Sequence, residues 1–162
     1  MDYFSFRKDF EASLARLRVP SDCTIQEPTW EVIAPPFWIV TVFFDFSDRT
    51  HMRLWENYGK YAGLQMSRKV QWSYHYGPTT LTDVKGCAMQ GAADDPVHLR
   101  IDTCSGLHMH YQQRQPHWGQ GDISGLDLAS FSAFDFAKAV LKHRKTGQPL
   151  TKTFGFNIKA KE

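Results

Sequence analysis

Between Leu99 and Trp118 the chain reads LRIDTCSGLHMHYQQRQPHW, which sets Arg100, Asp102, His108, His110 and His117 close together in sequence. Imidazole suits proton transfer near neutral pH, guanidinium suits phosphoryl oxygens, and a carboxylate can orient an imidazole. These are the parts that metal-independent RNA cleavage needs: a base for the 2′-hydroxyl, an acid for the leaving oxygen, and a cation over the charged phosphorane. His108 and His110 fill the acid and base roles in an order the residues alone leave open. Arg100 clamps the phosphate, and Asp102 orients an imidazole or pairs Arg100. His75 and His117 are substitutes for the same roles; Glu56 lies on a strand that can adjoin, and Tyr74 and Tyr76, on another, are expected to belong to the nucleic-acid-binding surface.

Other readings compete. In the plainest, Arg100 and Asp102 form a surface pair and the histidines are solvated. In another, the histidine-rich face belongs to a non-catalytic binding or regulatory protein that recognises a protein or nucleic-acid partner. In a third, His108 and His110 form a cupin-like HxH metal pair. No Glu follows at the cupin distance, however; Gln112, Gln113, Arg114 and Gln115 stand there, and Arg114 repels a cation. Neither a metal nor a cofactor is therefore expected. Cys104 lies near the histidines without the surroundings of an activated thiolate.

The positioning elements follow from periodicity. Alternation puts Leu99 and Ile101 on one face of a strand and His98, Arg100 and Asp102 on the other. A break at Cys104-Ser105-Gly106 precedes a second alternating run in which His108 and His110 share a face. Upstream, Phe4 to Arg18 has helical spacing of Phe6, Phe10, Leu14 and Leu17, and Pro20 ends it. Thr24 to Ala34 is an edge strand before Pro35-Pro36. Phe37 to Phe44 is β-branched and aromatic, a central strand covered on both faces, with Thr50 to Glu56 as its hairpin partner. Lys69 to Tyr76 alternates with Trp72, Tyr74 and Tyr76 on one side and Gln71, Ser73 and His75 on the other. Asp127 to His143 is a second amphipathic helix closed by Gly147 and Pro149, and the tail adds a short strand at Phe154 to Ile158. The expected fold is one α+β domain over residues 1–162: an antiparallel β-sheet of four to six strands flanked by an N-terminal and a C-terminal helix.

Composition sets outer bounds. The 162 residues, 42% hydrophobic and 22% charged, suit one globular domain, and 12 Phe, 6 Tyr and 5 Trp suit a sheet-rich core. A net charge of +2 does not announce a nucleic-acid binder, so such a surface must be local. Three cysteines without metal-ligand spacing argue against a disulfide framework. The start lacks the pattern of a secretory signal, and Phe37 to Phe44 is too short to span a bilayer, so a cytoplasmic protein without a membrane partner is expected. Lys142, Arg144 and Lys145 load the end of the second helix and could track a phosphate backbone, although cations also suit a helix C-terminus.

One family shares this order of features. Phe44-Asp45-Phe46-Ser47-Asp48, then Leu54-Trp55-Glu56-Asn57-Tyr58, then Tyr74-His75-Tyr76, then Leu99-Arg100-Ile101-Asp102 and His108, His110 and His117 resemble the TumE-like proteins, proposed toxins of bacterial toxin–antitoxin pairs. The resemblance covers the middle and end of the chain. It implies a toxin-like protein with RNA or translation as its target and an antitoxin protein as partner. A homodimer is left open.

Overall fold

The computed structural model describes residues 2–34, 37–59, 68–78, 98–103, 106–112 and 118–159. Its elements are α1 (Tyr3–Ala15), β1 (Cys23–Ile25), β2 (Thr29–Ala34), β3 (Phe37–Phe46), β4 (His51–Gly59), β5 (Arg68–Gly77), β6 (Leu99–Asp102), β7 (His108–Tyr111), β8 (Ile123–Ser124), α2 (Ala133–Thr146), α3 (Leu150–Phe154) and β9 (Asn157–Ile158). The expected α+β architecture is what forms. Seven antiparallel strands make the main sheet, with β1 and β2 both paired to β3 at one edge and β4, β5, β6 and β7 following in order. β8 and β9 pair separately.

Several boundaries differ from the expectations. Thr24 to Ala34 is two short strands rather than one, with Pro28 between them, where a missing N–H interrupts a ladder. This division brings the sheet to seven. The second helix begins at Ala133 rather than Asp127: Ser132 and Asp135 form a reciprocal capping box, while Asp127 caps a separate 3₁₀ turn at Leu128–Ser130. Gly147, at φ +70°, closes the helix in the left-handed conformation that side-chain-bearing residues avoid. The strand expected at Phe154 to Ile158 is divided between the end of α3 and β9.

Period-2 alternation gives the sheet two unlike faces. On β3, Trp38, Val40, Val42, Phe44 and Phe46 are buried, whereas Ile39, Thr41, Phe43 and Asp45 are only partly so. The expectation that β3 is covered on both faces thus holds fully for one. The buried side continues through Met52, Leu54, Trp72, Tyr74, Leu99, Ile101 and Met109 into one core with Phe6, Phe10 and Leu14 of α1 and Phe136, Ala137, Val140 and Leu141 of α2. Aromatic pairs lock this layer: Phe6 meets Tyr58 at 4.4 Å, Phe10 meets Phe134 at 5.0 Å, and Tyr74 meets Phe136 at 5.6 Å between ring centroids. No helix of the described residues is long and apolar enough to cross a membrane.

Arg144 fastens the end of α2 to the sheet. Its Nη1 donates to Asp48 Oδ2 at 3.0 Å, Thr50 Oγ1 at 2.8 Å and the Tyr76 hydroxyl at 3.1 Å. Its Nη2 donates to Asp22 Oδ2 at 2.9 Å, and the guanidinium lies 3.9 Å from the Phe46 ring centroid. One side chain thereby ties together α2, the β3–β4 turn, the approach to β1, and β5. Burial works against ionisation of Asp48, but hydrogen bonds from Thr50 and Arg144 outweigh it and bring the carboxyl down to about 2.

Arg144→Met is expected to lower unfolding stability by roughly 2 kcal/mol in urea at neutral pH, less than the sum of its bonds because the carboxylate partners are partly solvated. The folded Asp48 carboxyl titrates below its unfolded value near 3.9, so its stabilisation is complete above that pH and is lost as pH falls towards about 2. Asp48→Asn should flatten that part of the acid-unfolding curve. An unaltered curve would show that the carboxylate is not held as described.

Candidate functional site

The strand registers assemble two adjacent rungs across the second face. In one rung Phe43 of β3 opposes Arg53 of β4, Arg53 opposes His75 of β5, His75 opposes Arg100 of β6, and Arg100 opposes His110 of β7. In the next, Thr41, Trp55, Ser73, Asp102 and His108 follow in the same order. Paired residues on one face stand about 5 Å apart and successive same-strand residues about 7 Å, so the polar side chains of both rungs crowd together. Arg53, Ser73, His75, Asp102 and His110 are all buried, none more than 4% exposed. The side chains of Arg100 and His108 retain 15% and 12% exposure, which puts the way in from solvent at the β6–β7 end.

The contacts are short and directional. Arg100 Nε lies 2.8 Å from Asp102 Oδ2, an ion pair by distance although the N–H is not aligned for a hydrogen bond. Arg100 Nη2 lies 2.8 Å from His110 Nε2. A guanidinium only donates, so His110 presents a lone pair at Nε2. His108 Nδ1 donates to the Gly106 carbonyl at 2.7 Å, while its Nε2 faces Asp102 Oδ1 at 3.3 Å and His110 Nε2 at 3.0 Å. Both nitrogens of His108 therefore face acceptors, an arrangement satisfied by a proton on each. Arg53 Nη2 donates to Ser73 Oγ at 3.2 Å.

Burial, and then the charges of Arg53 and Arg100, hold the His75 imidazole well below the ordinary histidine range. Among the described residues neither of its ring nitrogens has a hydrogen-bond partner. Burial likewise lowers Arg53 to about 10, with the Arg100 charge adding to the effect and Asp102 opposing it. Arg53 nevertheless stays cationic at neutral pH. The two rungs hold two guanidiniums against one carboxylate, a surplus of positive charge shielded from water.

Of the residues singled out from sequence, Arg100, Asp102, His108, His110 and His75 come together here. His117 lies outside the described residues. Tyr74 and Tyr76 do not join the site; they sit on the opposite, helix-covered face, where the Tyr74 hydroxyl bonds Glu56 and accepts from Lys69 at 2.9 Å, and the Tyr76 hydroxyl accepts from Arg144. Glu56 is buried with them and also accepts from the Tyr58 hydroxyl at 2.8 Å. Arg144 is engaged in the clamp, while Lys142 and Lys145 are exposed on the helix layer, across the sheet from the histidines. Arg53 and Ser73 are members that sequence reasoning missed. Arg53 alternates with His51 and Trp55 on β4, which fixed its face but not its partner.

Ligand atoms of Asp102, His108 and His110 lie within 4.8 Å of one another, a spacing that a divalent cation can bridge. Arg100 already stands 2.8 Å from both His110 Nε2 and Asp102 Oδ2. A bound cation would have to displace it. The chain matches none of the protein-family models, curated proteins or solved structures with which it was compared.

The His75 ring protons are expected to keep constant NMR shifts as pH falls through 6.5, because its folded pKa lies well below that unfolded value. Its stabilising contribution is complete above that value and declines as pH falls below it, since the unfolded chain then binds the extra proton. A His75 resonance titrating near 6.5 would contradict its burial between the guanidiniums.

Proposed function

We propose that the two rungs form the site of a metal-independent ribonuclease. The observation that carries this reading is the pairing of Arg53 and Arg100 on one buried rung, opposed by the single carboxylate of Asp102, beside imidazoles able to move protons. A phosphodiester brings negative charge to two rungs on which Asp102 is the single carboxylate, and its phosphorane intermediate brings more.

The hydrogen-bond directions support an order for the chemistry. His110, with its lone pair at Nε2, takes the proton from the 2′-hydroxyl as that oxygen attacks phosphorus. His108, with both nitrogens on acceptors, gives a proton to the departing 5′-oxygen. The P–O5′ bond breaks as the P–O2′ bond forms, leaving a 2′,3′-cyclic phosphate and a free 5′-hydroxyl. Arg100 turns from its ion pair towards the phosphoryl oxygens, and Asp102 keeps His108 oriented. As part of the same proposal, such an enzyme is toxin-like in a bacterial cytoplasm and calls for a neutralising protein partner, in keeping with the resemblance to TumE-like proteins.

A metal-dependent centre on Asp102, His108 and His110 is a second reading, favoured by the convergence of their ligand atoms. The guanidinium between them weighs against it. RNA incubated with the protein in excess EDTA is expected to be cleaved to cyclic-phosphate ends, and His108→Ala or His110→Ala should each slow cleavage by about 10²–10⁴. Intact RNA would overturn the proposal; cleavage only after addition of Zn²⁺ or Mn²⁺ would replace it with the metal-dependent reading.

A further inference from the structure

On the helix layer, far from the histidine face in the fold, α1 and α2 bound a cleft of about 570 Å³. Five cations line it: Arg16 and Arg18 just beyond α1 on one side, Lys138, Lys142 and Lys145 of α2 on the other. No carboxylate is among its lining residues. The lysines recur at i, i+4 and i+7, so they form one row about 10 Å long on the helix. Leu17, Val19, Pro20 and Leu141 give the cleft an apolar floor, and Val19 is 37% exposed.

What distinguishes these cations is that five of them share one cleft whose lining holds no carboxylate. Elsewhere Arg7 pairs with Glu11, Lys69 with Glu56, Arg100 with Asp102, and Arg144 with Asp22 and Asp48. Among the described residues none of the five cleft cations is in an ion pair. Gathering like charges on both walls of one groove costs self-repulsion that a negative occupant relieves. The floor narrows the kind of occupant. Bases bind single-strand grooves by stacking on aromatic faces, and no aromatic residue lines this cleft. Aliphatic side chains on the floor instead accept an aliphatic side chain, with carboxylates of the same ligand reaching the rims.

We infer that this cleft docks an acidic, amphipathic segment of a partner protein: aliphatic side chains between Leu17, Val19 and Leu141, carboxylates against the row Lys138, Lys142 and Lys145 and against Arg16 and Arg18. The site is separate from the proposed ribonuclease face and stands whether or not that face cleaves RNA.

The test uses the full chain and two labelled probes, a helical peptide with Glu at i, i+4 and i+7 flanked by Leu, and an oligouridylate whose 2′-hydroxyls are replaced by hydrogen so that it stays intact, with binding followed by fluorescence anisotropy. The peptide should bind, and weaken as salt is raised from about 50 to about 200 mM. Lys138→Glu with Lys142→Glu should weaken the peptide about tenfold or more, and Val19→Ser should weaken it too, while oligouridylate binding stays unchanged in both variants. All three substituted residues are exposed, so thermal unfolding should match that of the wild type. Absence of peptide binding, or peptide binding indifferent to these substitutions, would overturn the inference. Loss of oligouridylate binding in the lysine variant would overturn it in favour of a nucleic-acid surface.

Discussion

The polar face depends on one ion pair, Arg100 with Asp102, at 2.8 Å and with the aspartate almost wholly buried. Asp102 is the only carboxylate on rungs that also hold Arg53 and Arg100. Remove it and two guanidiniums face each other across His75 with no compensating charge, an arrangement that costs several kcal/mol in a buried setting. With it in place the charge is nearly but not fully balanced. Burial first, and then the charges of Arg53 and Arg100, keep His75 neutral; burial, with the Arg100 charge adding to it, lowers Arg53; and the Arg100 guanidinium takes the lone pair of His110.

Such a face needs stability supplied from elsewhere, and the sheet supplies it from its other side. Odd-numbered residues of β3, of β4 as far as Asn57 and of β5 from Gln71 onward look towards the polar rungs, while their even-numbered neighbours, with odd-numbered Leu99, Ile101 and Met109 on β6 and β7, build the core under α1 and α2. Rings such as Phe136 and Phe44, both fully buried, carry the hydrophobic stabilisation. Arg144 then fastens one end of α2 to the sheet, and the Ser132–Asp135 capping box closes the other end of that helix. Chemistry on one face and packing on the other let the rungs carry unsatisfied or surplus charge without emptying the core.

How much of this was legible in the sequence follows from the range of each signal. Alternation is local, so the shared face of Arg100 and Asp102, the shared face of His108 and His110, and the separation of His75 from Tyr74 and Tyr76 could be read directly. That same alternation sets Tyr74 and Tyr76 on the apolar side, against their assignment to a nucleic-acid surface. Arg53 was not recognisable because its place beside His75 is set by the β4–β5 register, a pairing between residues 22 apart that no local pattern encodes. Arg144 illustrates the same limit. A cation in the last turn of a helix reads as a dipole complement, but its partners Asp22, Asp48 and Tyr76 are contributed by distant segments. The start of α2 was missed for a different reason, since Asp127 and Ser132 are both good caps and only the longer helix reveals which one serves it.

The central claim is that the rungs receive an RNA phosphate and not a metal ion. It is tested most directly by following the His108 and His110 ring resonances while the protein is titrated in EDTA with an oligonucleotide whose cleavage-site 2′-hydroxyl is replaced by hydrogen. The account predicts that both rings shift together and saturably, with His75 moving as their neighbour across Arg100. Rings that ignore the oligonucleotide, yet shift on addition of Zn²⁺ to the EDTA-free protein, would contradict it.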